Sequence, residues 1–470
     1  MTNRRAFLKT LTVAPFALSA QTQARQPNII LILTDDQGYG DFACHGNPVI
    51  KTPNLDLLHS ESVRFTDFHV SPTCSPTRSS LLSGKHELKN GISHTINERE
   101  RMSLKTTTIA QVLKSAGYTT GIFGKWHLGD AAPYQPGARG FDEVFIHGCG
   151  GIGQKYAGTC SDAPDNKYFN PTILHNNVFE KTNGYCSDVF FGQAANWINV
   201  KRRSRAPFFA YITPNAPHAP LDVPEYYENL YKNANIPEPA KKYFGMITNI
   251  DDNVGRLLAK VKEWGIERDT LVIFMNDNGG TAGVKVFNDG MRGQKGTPYM
   301  GGTRAACFFH WAGRFKPADV KPLSAHIDIF PTLAELAGAK IPPAVKLDGR
   351  SLVPLLKNPA TPMPDRFLFT HVARWDKGKA AESKYAKCRV RNTRFSMVNM
   401  GKGWELYDLS TDRGETTDVK AKFPADAKKL SDAYDKFWAE ALPLLENEDA
   451  VPPAVPPYIE LYQKQFPNKN

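Results

Sequence analysis

Apolar positions along this chain fall into two alternating kinds of segment. Residues 28–33 read NIILIL, an unbroken run of β-prone side chains, and residues 207–213 (PFFAYIT) and 271–275 (LVIFM) repeat the pattern. A strand covered on both faces of a parallel sheet needs such a run, whereas a half-exposed strand alternates. Between these runs the apolar residues recur at helical spacing. They do so over 108–116, stopped by Gly117; over 187–200; over 242–264, ending at Gly265; and over 326–337, stopped by Gly338. Strands alternating with helices predict an α/β fold: a large mixed, mostly parallel sheet sandwiched by helices.

The pattern changes at Pro342-Pro343 and again across 358–364. Short strand-like stretches follow at 388–391, 395–398 and 404–409, then a helical pattern over 424–442 with Pro424 in its first turn. These predict a smaller C-terminal α+β domain, placed at 356–470, behind a larger domain at 25–355. Two unequal domains suit a chain of 470 residues. The tail from Leu444 carries Pro452-Pro453 and Pro456-Pro457 and reads as an extended strap.

At the other end, residues 1–24 carry Asn3-Arg4-Arg5-Ala6-Phe7-Leu8-Lys9, a short apolar stretch over 11–20, and small residues at Ala20 and Ala24. That is the order of a signal peptide, and its paired arginines resemble the twin-arginine export signal. The expectation is an exported protein, periplasmic or extracellular, that leaves the cytoplasm already folded. No apolar run reaches the ~20 residues of a membrane helix.

Charge narrows the partners. Lys and Arg number 58 against 47 Asp and Glu, a net +11 that suits anionic substrates. No basic run exceeds Lys201-Arg202-Arg203, at the end of a helical pattern, so nucleic acid is not an expected partner. None of the seven cysteines sits in a Cys-x-x-Cys pair, which argues against a zinc site. Export would let Cys149 and Cys160 pair across a glycine-rich loop; free buried thiols fit equally well.

Candidate chemistry begins where the strands end. Asp35-Asp36 follow the first apolar run and Asp277-Asn278 follow the third. Open α/β sheets bind ligands at that carboxyl edge. Adjacent carboxylates repel unless a cation neutralises them, and an all-oxygen donor set suits Ca²⁺ or Mg²⁺. A second element lies at residues 71–84. Ser75 is a suitable N-cap, Pro76 fits the first turn and Gly84 the stop, which puts Cys74 just before a helix N-terminus. Backbone N–H groups favour an anion there, and Arg78, one turn on, can hold a negative oxygen over the same face.

The run Cys74-Ser75-Pro76-Thr77-Arg78, with Leu81-Leu82-Ser83-Gly84 after it, resembles the signature of the formylglycine-dependent (type I) sulfatases, of the alkaline phosphatase superfamily. Gly121-Ile122-Phe123-Gly124-Lys125-Trp126-His127-Leu128-Gly129 and Gly140-Phe141-Asp142 are similar to further landmarks of that family. So are Pro214-Asn215-Ala216-Pro217-His218-Ala219-Pro220, Gly293-Gln294-Lys295-Gly296, Asp348-Gly349-Arg350-Ser351-Leu352 and Leu406-Tyr407-Asp408-Leu409. The resemblance implies a sulfate ester hydrolase whose Cys74 is oxidised by a separate maturation enzyme to an aldehyde, the hydrate of which is the nucleophile. It implies one cation, usually calcium, held by Asp35, Asp36, Asp277, Asn278 and the modified Cys74. Arg78 and Lys125 become the cations that stabilise the hydrate, His127 the base, His218 the acid to the leaving oxygen, and Lys295 its partner on sulfate. The implied substrate is a sulfated carbohydrate or an aryl sulfate. His371 and Trp375 are further candidates for substrate contact, with surface packing as the plainer account.

Residues 147–170 form a glycine-rich segment without a family counterpart, and such loops set substrate choice. Two competing readings stay open: a phosphodiesterase or phosphonate monoester hydrolase of the same superfamily, and a catalytically silent sugar-binding scaffold. Phosphatases of this fold hold two metals and a Ser or Thr nucleophile. Ligands for one site plus a cysteine favour sulfate.

Overall fold

The computed structural model describes residues 26–148, 150–154 and 161–467. The export segment at 1–24 and the Cys149–Cys160 pair lie outside the described residues.

Among the described residues the larger sheet has ten strands. In spatial order they are Ala318–Val320, Val63–Phe65, Cys307–His310, Thr270–Asn276, Asn28–Thr34, Phe208–Thr213, Thr119–Lys125, Glu143–His147, Thr172–His175 and Val178–Lys181. The five strands from Thr270–Asn276 to Glu143–His147 all run parallel. Antiparallel partners flank them on both sides. The NIILIL run lies at the middle, and its period-two geometry explains why every position is apolar. Ile29, Leu31 and Leu33 enter one core with Leu81, Ile109, Val112 and Leu333, while Ile30 and Ile32 enter the other with Phe190, Ile198, Met246 and Val254.

The helices follow the predicted spacings. Ile109–Ser115 starts from a capping box in which Thr108 and Gln111 satisfy each other's backbone N–H. Cys186–Lys201 and Glu238–Glu263 cover one face of the sheet, and Ile329–Leu336 the other. The 326–337 pattern opens with a 3₁₀ turn, His326–Asp328, before it becomes α-helical.

The second sheet is a four-stranded antiparallel meander: Leu368–His371, Cys388–Arg391, Phe395–Asn399 and Trp404–Asp408. The helix Pro424–Ala441 lies on it through Leu430, Tyr434, Phe437 and Trp438. Two expectations change here. The boundary drawn after residue 355 falls inside a helix, Val353–Lys357, whose Leu355 and Leu356 belong to the core of the larger sheet. The tail is not extended throughout: it ends in a helix, Pro457–Gln465. That helix packs Tyr458 and Tyr462 on Phe179, and Gln465 exchanges two hydrogen bonds with the Phe179 backbone at 2.7 and 2.8 Å. The tail thereby covers the edge of the larger sheet, and docking against a sheet edge orders a short helix that its prolines alone did not announce.

One glycine fixes the approach of two site-bearing strands. Gly124 has φ 120°, and a Cβ there would sit 2.1 Å from the Thr213 carbonyl oxygen of the neighbouring strand. Gly124→Ala is expected to cost roughly 2–5 kcal/mol of unfolding free energy through strain and backbone collision. Urea denaturation checks it; an unchanged midpoint contradicts it.

Candidate active site

Four neighbouring strands end at one place. Asp35 and Asp36 follow Asn28–Thr34, Asp277 and Asn278 follow Thr270–Asn276, Lys125 closes Thr119–Lys125 with His127 two residues on, and His218 follows Phe208–Thr213. The helix Cys74–Ser83 points its N-terminus into the same space, and Lys295 enters on a loop. Every residue singled out from the sequence as nucleophile, acid, base, cation or metal ligand is therefore in this cluster. Asp35, Lys125, Asp277 and Asn278 are fully buried, and Cys74, Arg78, Asp36, His127 and His218 nearly so.

The helix begins two residues earlier than the capping pattern suggested. Thr73, extended at φ −150°, is the N-cap, so Cys74 is the first helical residue instead of the residue before it. Pro76 then falls in the third position, still among the N–H groups without an intrahelical acceptor. Gly84 ends the helix at φ 67°, as expected.

Charges are matched within the cluster. Lys125 Nζ donates to Asp35 Oδ2 at 2.6 Å, and Arg78 Nη2 donates to Asp277 Oδ2 at 2.9 Å while its Nη1 reaches the Lys125 carbonyl at 3.1 Å. Lys295 Nζ lies 2.6 Å from Asp36 Oδ1. Burial alone would raise the Asp36 carboxyl, but Lys295 and His218 outweigh it and hold the group well below the usual carboxylate range. Burial, reinforced by the Asp35 charge, pushes Asp277 up to about 7. Burial also pushes the Cys74 thiol up to about 11.

The two histidines are oriented by backbone carbonyls. His127 Nε2 donates to the Thr95 carbonyl at 2.7 Å, so the hydrogen sits on Nε2; Nδ1 is buried without a partner and keeps a free lone pair. Burial and then the Lys125 charge hold this imidazole neutral far below its ordinary range. His218 Nδ1 donates to the Ala219 carbonyl at 2.6 Å, which turns Nε2 towards Asp36 Oδ2, 3.8 Å away.

A metal ion fits this donor set. One donor atom each from Asp35, Asp36, Cys74 and His218 lies within 4.8 Å of the others. Asp35 Oδ1 and Asn278 Oδ1 are buried oxygens with no hydrogen-bond partner, a costly arrangement that a cation would satisfy. Asp277 is shared between partners: its Oδ1 accepts the Asp36 N–H at 3.1 Å and its Oδ2 accepts from Arg78, and each oxygen keeps a lone pair for a cation. His218, expected only as an acid, lies inside the donor cluster.

Other residues shape the site without having been singled out. Tyr243 Oη lies 2.6 Å from the Asp36 carbonyl and 2.7 Å from Asp41 Oδ2, pinning the loop that carries the aspartates. Thr213 Oγ1 donates to the Lys125 carbonyl at 2.8 Å. Gly150 and Gly151 lie so close that a Cβ on either would stand 3.1 Å from the His127 or the His218 ring. Gly150 and Gly151 thus lie against both histidines. His371 and Trp375 do not reach the site: His371 Nε2 bonds the Ser383 carbonyl at 3.0 Å and its ring packs on Trp375 and Trp438.

Comparison with known proteins agrees with this architecture. The family model Sulfatase matches residues 27–339, and that of N-sulphoglucosamine sulphohydrolase, C-terminal, matches 295–434. Arylsulfatase G of Mus musculus is 33% identical over 385 residues, covering 73% of this chain and 71% of its own. Arylsulfatase A of Homo sapiens is 33% identical over 355 residues, covering 71% and 68%. Among solved structures, Ps i-CgsB in complex with k-i-k-neocarrahexaose is 27% identical with a TM-score of 0.79, over 88% of this chain and 93% of that one. The phosphonate monoester hydrolase of Agrobacterium radiobacter, 20% identical with a TM-score of 0.66 over 88% and 96% of the two chains, shares the fold. This chain belongs to the type I sulfatases of the alkaline phosphatase superfamily and is a sulfuric ester hydrolase.

Proposed function

We propose that this sulfatase releases inorganic sulfate from sulfated carbohydrates, with residue 74 oxidised from cysteine to formylglycine and one divalent cation, calcium or magnesium, beside it. The observation that carries the reading is the placement of Cys74. It is the first residue of a buried helix, with a donor atom within 4.8 Å of those of Asp35, Asp36 and His218 and with Lys125, Lys295 and Arg78 around it. A side chain there can meet both an anionic sulfate and a cation. An aldehyde hydrate at the same carbon supplies two hydroxyl groups and needs no thiolate.

The side chains support the following roles. As one hydroxyl of the hydrate attacks sulfur its proton passes to His218 Nε2, the nitrogen left free by the Ala219 carbonyl; the S–O bond to the sugar breaks and His218 gives that proton to the departing oxygen. His127 Nδ1 takes the proton of the second hydroxyl, the bond between carbon and the sulfate oxygen breaks, and the aldehyde returns as sulfate leaves. Water then restores the hydrate. Arg78, Lys125 and Lys295 offset the negative charge of the hydrate and of the sulfate. Asp35, Asp36, Asp277, Asn278 and the modified residue 74 would hold the cation, which when bound polarises a sulfate oxygen and acidifies the hydrate. Maturation needs a separate formylglycine-generating enzyme.

Ps i-CgsB, in complex with an oligosaccharide, favours a carbohydrate over a small aryl sulfate, as do Gly150 and Gly151 against the two histidines. The twin-arginine-like segment supports export of the folded protein to the periplasm or beyond. Sulfate release from a panel of sulfated oligosaccharides and an aryl sulfate, followed by ion chromatography, tests the substrate class. Turnover of the aryl ester alone contradicts it.

Two further outcomes are expected. Removing the cation with a chelator lowers turnover by at least ~100-fold, since it takes away both polarisation and charge balance, and Ca²⁺ or Mg²⁺ restores it. Full activity in protein shown metal-free by elemental analysis would sink the cation. His127→Gln, whose amide nitrogen takes the place of Nε2 and keeps a donor for the Thr95 carbonyl while the Nδ1 lone pair is gone, lowers kcat by roughly 10²–10⁴-fold with the melting temperature little changed. A kcat within a factor of a few of the parent removes His127 as the base.

A further inference from the structure

We infer that Cys44, His45 and His59 form a second metal site, for a borderline or soft transition ion such as Zn²⁺. Their Sγ and imidazole nitrogen donors lie within 4.8 Å of one another, and all three side chains are half-buried. Two structural elements bring them together. Cys44 and His45 sit on the 3₁₀ turn Ala43–His45, which ends at Gly46 in the left-handed conformation. His59 comes from the last turn of the helix Pro53–Ser60.

The rings are held in place before any ion arrives. His45 Nδ1 donates to the Tyr39 carbonyl at 2.7 Å, which leaves Nε2 as the nitrogen with a lone pair. A ligand histidine anchored through its other nitrogen to a carbonyl is the usual arrangement at metal centres. The His45 ring stacks on Tyr39 with centroids 4.0 Å apart, and the His45 and His59 rings stand at 77° with centroids 5.5 Å apart. Both set an edge or face against Phe308. On the thiol side, the Asp56 carboxylate accepts the Cys44 backbone N–H at 3.0 Å and the Thr52 hydroxyl at 3.0 Å, which ties the turn to the helix.

The donor chemistry selects the ion. One sulfur and two imidazole nitrogens suit zinc or its neighbours, and suit calcium or magnesium poorly. This separates the site from the oxygen-rich centre at Asp35 and Asp36. Binding ionises the Cys44 thiol, and its proton goes to solvent. Three protein donors leave a fourth position for water. The absence of a Cys-x-x-Cys pair gave no hint of it, because the third donor arrives from a helix later in the chain. The ion would brace the turn that follows the Asp35-Asp36 loop against Pro53–Ser60.

The test uses the full chain saturated with Ca²⁺ and titrated with Co²⁺, then Zn²⁺. The expected result is one equivalent of Co²⁺ with a thiolate-to-cobalt charge-transfer band, displaced by Zn²⁺. Cys44→Ser abolishes the band. His59→Asn, at a half-exposed helix position, weakens Zn²⁺ binding by at least ~10-fold while its circular dichroism stays that of the parent. Cys74→Ala retains the band. Zn²⁺ raises the melting temperature of the parent and of Cys74→Ala, and not that of Cys44→Ser. No band at one equivalent, a band that survives Cys44→Ser, or a band lost in Cys74→Ala overturns the site.

Discussion

Cys74→Ala is expected to abolish sulfate release, by on the order of 10⁴-fold or more, without unfolding the protein. The substitution removes only one heavy atom from the first residue of a buried helix, and alanine is a good helix former. Its thiol donates no hydrogen bond that the fold depends on, so the stability cost is about 1 kcal/mol. The loss falls on kcat because a hydroxyl oxygen on that carbon forms the bond to sulfur, and alanine carries none. The unmodified parent, produced in a host without the maturation enzyme, should be nearly as inactive as the alanine variant. The comparison is measured as sulfate released per mole of aldehyde-containing protein. Activity that does not follow aldehyde content, or an alanine variant within 100-fold of the matured parent, contradicts the assignment.

Arg78→Ala is expected to damage both turnover and folding. Arg78 and Asp277 are an ion pair with side chains 1% and 0% exposed. Breaking a buried pair by removing one partner leaves the other charge uncompensated, at a cost of about 3–5 kcal/mol. The pH dependence follows from Asp277, which burial and then the Asp35 charge already push up to about 7 from 3.8. A carboxyl whose folded value is raised stabilises the fold fully below its unfolded value and loses that contribution as pH rises through the folded value. Without Arg78 the folded value rises further. Cation-free Arg78→Ala should therefore approach the stability of the cation-free parent near pH 4 and fall away from it towards pH 8. Arg78→Lys should recover part of the stability and less of the activity, because a point charge cannot reach both Asp277 and the Lys125 carbonyl. Equal denaturation midpoints for Arg78→Ala and the parent at pH 8 contradict this account.

Much of this architecture was legible from period and spacing. NIILIL read as a strand covered on both faces and is one, and the paired acids at two strand ends pointed to the carboxyl edge before any contact was known. The start of the nucleophile helix was off by two residues because capping propensity favours Ser75, while the extended Thr73 backbone takes the cap. What stayed hidden is tertiary. Nothing local marks Thr95 as the residue that fixes the His127 tautomer, or Tyr243 as the clamp on Asp36, since each acts across a long stretch of chain. The closing helix at Pro457–Gln465 was missed because its stability comes from Phe179 and the sheet edge. His371 looked like a site residue by position, yet its ring is part of the aromatic core of the smaller sheet.

The central claim rests on the chemical state of residue 74. Peptide mass spectrometry across 71–84, on protein co-expressed with a formylglycine-generating enzyme, tests it most directly. The account predicts a peptide in which sulfur has been replaced by oxygen with loss of two hydrogens, or its hydrate, in proportion to the sulfate-releasing activity. An unmodified Cys74 peptide from protein that releases sulfate at full rate would contradict it.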